Sequence, residues 1–206
     1  MSKERVETFS DGVFAIAITL LVLTIAQPDH YNALAQQLVD RWPELAAYIV
    51  SFAVIGIMWL NHHSIFTHFG RVDRGFIYLN LVLLMSIVFI PYPTGIFGQA
   101  LQRGQGAQTA AVLYSVVMTV NAYAWSALWL YASSGRRLLT PGFPEEERHM
   151  ATVLFTIGGV LYTLTIGIAF ISAYACLAAH GLLAVYYALD PLSRRAARSN
   201  AGAGNG

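Results

Sequence analysis

The stretch HMATVLFTIGGVLYTLTIGIAFISAYACLAAHGLLAVYYAL, residues 149–189, runs for 41 residues without an Asp, Glu, Lys or Arg. As one α-helix at about 1.5 Å per residue it would measure about 62 Å, twice the roughly 30 Å hydrocarbon core of a bilayer. That length predicts two membrane-crossing helices joined by a tight turn, placed near Ala169–Ala173.

Working outward, the other stretches free of these four residue types are 12–28, 45–70, 75–102 and 104–135. Each is long enough for one crossing, or close to it. The sum is an all-α polytopic membrane protein with six spans, at about 8–27, 44–63, 75–97, 107–133, 150–169 and 172–190. These form one domain over residues 1–190, followed by a tail, 191–206, whose Ala-Gly-Ala-Gly-Asn-Gly end predicts disorder on the cytoplasmic side. Composition agrees. The chain is 56% hydrophobic and 11% charged, whereas soluble domains carry about 25% charged residues.

The basic residues orient the six spans. With an even number of crossings, Lys3, Arg5, Arg71, Arg74, Arg136, Arg137, Arg148, Arg194, Arg195 and Arg198 share one side, and Arg41 and Arg103 the other. Basic residues stay cytoplasmic, so both termini are expected inside the cell. Five spans would carry Arg194, Arg195 and Arg198 outward. Lys3 and Arg5 before an apolar run resemble a signal peptide, but Glu4, Glu7 and Asp11 crowd its start, so the first span is read as retained.

Several classes fall away. A net charge of +1 offers no field for nucleic acid. The single cysteine, Cys176, sits in an apolar run and makes neither an internal disulfide nor a thiolate metal site. No cofactor is expected. The connections are short. Tyr31–Trp42, with Leu34, Leu38 and Trp42 on one face, predicts a helix lying on the outer surface. Pro141-Gly142-Phe143-Pro144 predicts a cytoplasmic loop before span 5.

Span 1 carries the most information. At about 100° per residue, with Ile16 set at zero, Leu20 falls near +40°, Leu23 near −20°, Thr19 near −60° and Asp11 near −140°. One face is therefore a stripe of bulky aliphatics with a hydroxyl on its margin, and the carboxylate points elsewhere. By itself the stripe reads as lipid contact or bundle core. A carboxylate inside a span turns toward protein partners. Topology brings Ser10 and Asp11 to the same depth as Trp59, His62 and His63 at the end of span 2 and Asn80 in span 3, with Arg5 just below. A hydrogen-bonded structural cluster joining three helices is the economical expectation. The sequence leaves open which of His62 and His63 joins it.

Arg5-x-x-x-Phe9-Ser10-Asp11, with Trp59-Leu60-Asn61-His62-His63 and Leu79-Asn80-Leu81, resembles the signature of the transmembrane protein 175 family of potassium-permeable channels. The resemblance implies a prokaryotic cell-membrane channel lacking the Thr-Val-Gly-Tyr-Gly filter of ordinary potassium channels, a sequence this chain does not contain. It implies a homotetramer in the lipid bilayer, permeant to K⁺ and other monovalent cations, with the first helix lining a four-fold pore. It further implies a hydrophobic constriction at Ile16, with layers at Leu20 and Leu23, and ion coordination by Thr19. Arg5, Phe9, Ser10 and Asp11 then belong to the packing network. Modest preference for K⁺ over Na⁺ follows, because apolar rings offer an ion no ligands.

Two rivals remain in view. His62, His63 and His68 are reminiscent of di-iron histidine boxes, but the chain has six histidines in all, so no metal site and no enzyme is expected. A proton-coupled transporter would use Asp11 with His62 and His63 as a relay, but no inverted repeat is detectable in the sequence.

Overall fold

A computed structural model describes residues 2–28 and 32–189. The tail expected at 191–206 lies outside the described residues, as do His30 and Tyr31. The described residues form α1 (Lys3–Val22), α2 (Leu34–Asp40), α3 (Trp42–Thr67), α4 (Arg74–Phe89), α5 (Pro91–Arg103), α6 (Ala107–Ser133), a 3₁₀ turn (Ser134–Arg136), α7 (Glu145–Ile171) and α8 (Ala173–Ala188). No β-strand occurs among them.

The 41-residue apolar stretch breaks at Ser172, which is extended (φ −157°, ψ 125°) and whose side chain accepts a hydrogen bond from Ala175 N–H to cap α8. Residues 74–103 still form one stretch able to cross a membrane, but it is divided into two helices. Pro91 has no N–H to donate, so one helical bond is missing and α4 gives way to α5 at Ile90, whose φ −55° and ψ −40° remain helical. Thr94 resumes the ladder by donating its N–H (3.2 Å) and its hydroxyl (2.8 Å) to the Ile90 carbonyl. α5 then continues to Arg103, past the expected end at 97.

Four stretches are long and apolar enough to cross a membrane: Trp42–Thr67, Arg74–Arg103, Ala107–Arg136 and Glu145–Ile171. α1 has 20 residues but carries Arg5, Glu7 and Asp11 in its first half, and α8 is a shorter apolar helix of 16. α6 sits centrally, packed on α7, α4, α5 and α8. Its Tyr114, Met118, Leu128 and Trp129 are fully buried. α1 lies at the periphery against α3, α4 and α5. Apolar side chains such as Met85, Leu164 and Leu182 cover the outside, which suits lipid rather than water.

At the end of the bundle holding the α3–α4 and α6–α7 connections, backbone bonds join the two loops: Gly70 N–H to Leu138 O and Thr140 N–H to His68 O, both 2.9 Å. Asp73 caps α4 through the Phe76 N–H (2.9 Å), accepts from Tyr131 Oη (3.1 Å) and pairs with Arg137 (3.1 Å). These contacts, the Phe76 N–H foremost, hold its carboxyl below the usual carboxylate range.

Candidate pore helix and its anchors

α1 has two faces with opposite surroundings. Val6, Ser10, Phe14, Ala17 and Leu21 recur at helical spacing and are all buried against α3, α4 and α5. The opposite stripe is left open by the other described residues. Ile16 is 57% exposed, Leu20 36% and Leu23 76%. Thr19 lies on the same open side, and its hydroxyl donates to the Ile16 carbonyl at 2.9 Å. That bond occupies the Thr19 proton and leaves the oxygen lone pairs available to a cation.

The inner end of α1 is tied by a hydrogen-bond chain whose direction can be worked out. Ser10 Oγ donates to Val6 O at 2.8 Å, so it must accept from Asn80 Nδ2 at 3.0 Å. The Asn80 amide is thereby oriented, and its Oδ1 receives the bond from His62 Nε2 at 3.0 Å. His62 is then the Nε2–H tautomer, and its buried Nδ1 has no partner among the described residues. Its ring stacks on Phe66 at 4.3 Å and meets the edges of Phe14 and Trp125. Ser10, Asn80 and His62 thus join α1, α4 and α3 in one dry cluster.

The other expected members take separate places. Asp11 accepts from Trp59 Nε1 at 2.9 Å, a second link between α1 and α3. His63 is mostly exposed and meets Glu7 at 3.0 Å. The three-helix chain therefore contains His62, not His63. Arg5 and Phe9, which the resemblance groups with the network, lie apart from it within the chain. Both are exposed. The reason is phase: 7 and 11 residues before Ile16 are close to whole turns, which puts Phe9 and Arg5 in line with the open stripe. No group of three or more His, Cys, Asp or Glu able to hold a metal occurs among the described residues.

The sequence reading missed the outer end. Beyond α1, Arg41 Nη1 donates to Ala26 O (2.6 Å) and Nη2 to Gln27 O (2.9 Å), while Glu44 Oε2 accepts from Ala26 N–H (3.0 Å). Glu44 is 4% exposed and lies 3.4 Å from Arg41. Arg41 had counted only as an outer charge. The available signal was its spacing of three from Glu44 around Trp42-Pro43, a helix start.

Comparison with known proteins identifies the family and the fold. A model of the family described as "Endosomal/lysosomal potassium channel TMEM175" matches residues 5–91. A Streptomyces collinus protein named as a potassium channel is 46% identical over 188 residues, covering 90% of this chain and 91% of that one. A Danio rerio protein named as an endosomal/lysosomal proton channel, TMEM175, is 36% identical over 143 residues, 64% of this chain and 27% of that longer one. The crystal structure of a lysosomal potassium-selective channel TMEM175 homolog from Chamaesiphon minutus has a TM-score of 0.82 at 37% identity, covering 91% of this chain and 96% of that one. A relative of nearly equal length at this identity, together with a shared fold, places the chain in the TMEM175 family.

Proposed function

We propose that the chain is one subunit of a potassium-permeable channel in a prokaryotic cell membrane, in which four copies set α1 around a common axis. The observation that carries the reading is the open stripe of Ile16, Leu20 and Leu23 on a helix whose other face is fully packed. The names of the Streptomyces collinus and Chamaesiphon minutus relatives support the ion.

In this reading α1, α3, the α4–α5 unit, α6, α7 and α8 are the six spans, and the Lys and Arg excess keeps both termini cytoplasmic. Four copies of the stripe make stacked apolar rings that close the pore by expelling water, Ile16 being the constriction. The ring of Thr19 hydroxyls supplies oxygen ligands between the apolar layers. K⁺ is preferred over Na⁺ modestly, because the smaller ion holds its water more tightly in a narrow apolar passage. Ser10, Asn80 and His62 hold the helix in place and stay off the ion path.

The test is purified protein in liposomes with an outward K⁺ gradient, wild type against Ile16→Asn. Flux above empty liposomes is expected, and the polar substitution raises it. Silence from both proteins would sink the channel reading. Proton permeation along the same path is favoured as a second reading by the name of the Danio rerio relative. A pH-sensitive dye in the same liposomes separates the two ions.

A further inference from the structure

Resting on the reading of α1 as the pore helix, we propose that Arg41 and Glu44 are positioning residues that set the outer pore layer at Leu23 by clamping the backbone just beyond it. α1 ends at Val22 with Leu23 as its cap, and helical turns persist only through Thr24 N–H to Leu21 O (3.0 Å) and Ile25 N–H to Val22 O (3.3 Å). Past that point the backbone needs other partners, because the last turn of any helix leaves carbonyls unpaired and its continuation has no ladder. Arg41 and Glu44 supply them for Ala26 on both its N–H and its carbonyl, and for the Gln27 carbonyl.

Three features make this a fixed anchor rather than a surface ion pair. Glu44 is buried, and the Arg41 side chain is only 11% exposed. The two bonds to Ala26 are partly buried and the one to Gln27 is exposed; charge-assisted bonds are stronger than neutral ones and hold geometry closely. Glu44 lies in the first turn of α3, just after Pro43, where the helix dipole favours a carboxylate. α5 also presses on the same place: a Cβ on Gly98 would lie 2.9 Å from Glu44 Cα, and one on Gly95 would lie 3.0 Å from Thr24 Cβ. Close approach of α5 therefore depends on glycine at both positions.

Leu23 is three residues before Ala26 and is the most exposed of the aliphatic stripe. At 76% exposed it has little packing among the described residues to hold it. Its position relative to the axis is inherited from the clamp on one side and from Leu21 on the other. The inner anchor at Ser10 acts two helical turns below the constriction at Ile16 and cannot take over this task. Releasing the clamp lets the Leu23 layer spread while Ile16 stays in place.

The test measures K⁺ flux and the K⁺ to Na⁺ permeability ratio in liposomes, for variants whose oligomer survives purification. Because Ile16 remains the constriction in series, Arg41→Gln should raise flux by less than Ile16→Asn does, about twofold to threefold, and lower the ratio. Arg41→Lys keeps the charge and one of the two carbonyl bonds, so it should fall between wild type and Arg41→Gln. In a Leu23→Ala background Arg41→Gln should have no further effect, because the layer it moves is gone. A purely structural role would lower the yield of oligomer without touching the ratio. If Arg41→Gln does not assemble, Arg41→Lys carries the test. Wild-type flux and ratio in whichever variant assembles, or an undiminished effect in Leu23→Ala, overturns the clamp alone. A wild-type protein that passes no K⁺ overturns the channel reading instead.

Discussion

The inner and outer ends of α1 are both held by polar contacts, yet the two anchors are built from different chemistry. At the inner end the buried anchor joins neutral side chains of three helices, Ser10, Asn80 and His62, and Lys3 at the start of α1 adds bonds to the Phe66 and Phe69 carbonyls (3.2 and 3.1 Å). At the outer end, two charged side chains of one helix start bond to bare backbone at Ala26 and Gln27. The side-chain anchor requires particular residues at both partners and works inside a regular helix. The backbone anchor works where the helix has stopped, and whatever side chains Ala26 and Gln27 carry is immaterial to it. Between the two, α1 is held by the bond from Trp59 Nε1 to Asp11 and by apolar packing of Phe14, Ala17 and Leu21.

The largest expected effect comes from cutting the centre of the inner anchor. Asn80→Ala strips a partner from both Ser10, which keeps its bond to Val6 O, and His62, which is left buried with neither ring nitrogen paired, so unfolding in detergent should ease by about 3 kcal/mol. A loss under about 1 kcal/mol would mean that the cluster exchanges partners freely with water or lipid. Next comes the apolar middle. Phe14→Ala opens a cavity on the packed face and should cost about 2 kcal/mol, the packing part of the effect, since lipid removes much of the transfer part. Ile16→Ala, two residues on and on the open face, should stay within about 0.5 kcal/mol in the same assay while changing flux. Equal losses from the two would abolish the distinction between the faces.

A smaller effect is expected at Asp11→Ala, which removes one hydrogen bond from Trp59 and should lower oligomer stability by about 1 kcal/mol with selectivity unchanged. Altered selectivity in an intact oligomer would instead put Asp11 on the ion path. Smallest is a pH effect away from α1. The folded carboxyl of Asp73 is depressed, so its contribution is complete above its unfolded value near about pH 4 and fades as pH falls through the lower folded value. Wild type and Asp73→Asn should therefore differ in melting temperature near neutrality and converge in strong acid. Curves that stay parallel down to about pH 2 would assign the difference to geometry rather than charge.

Which parts of this were legible follows from the physics of each signal. A charge-free run longer than one bilayer crossing must break, so the turn now seen at Ser172 could be placed by length alone. The division of the helix at Pro91 could not, because a proline in a membrane helix sometimes interrupts it and sometimes does not. The phase of α1 separates Ile16, Leu20 and Leu23 from Asp11, since helical periodicity is local. Choosing His62 over His63 needs the rotation of α3 about its axis, which depends on all of its neighbours. Arg5 and Phe9 show the risk of carrying a motif over as a unit: its four residues span more than one face, and the fold divides them. Arg41 and Glu44 were hidden because their partners are backbone atoms, which no residue type announces.

The direction of the inner hydrogen-bond chain has one more consequence. Every donor from His62 through Asn80 and Ser10 points toward Val6. Turning over the Asn80 amide would take the Ser10 hydrogen away from Val6 O and move the imidazole hydrogen to Nδ1, a buried atom with no partner among the described residues. That arrangement gives up one bond and buries an unpaired N–H, so it is the costlier of the two. The cluster is thus a one-way element: its hydrogens have a single preferred direction, set without any charged group.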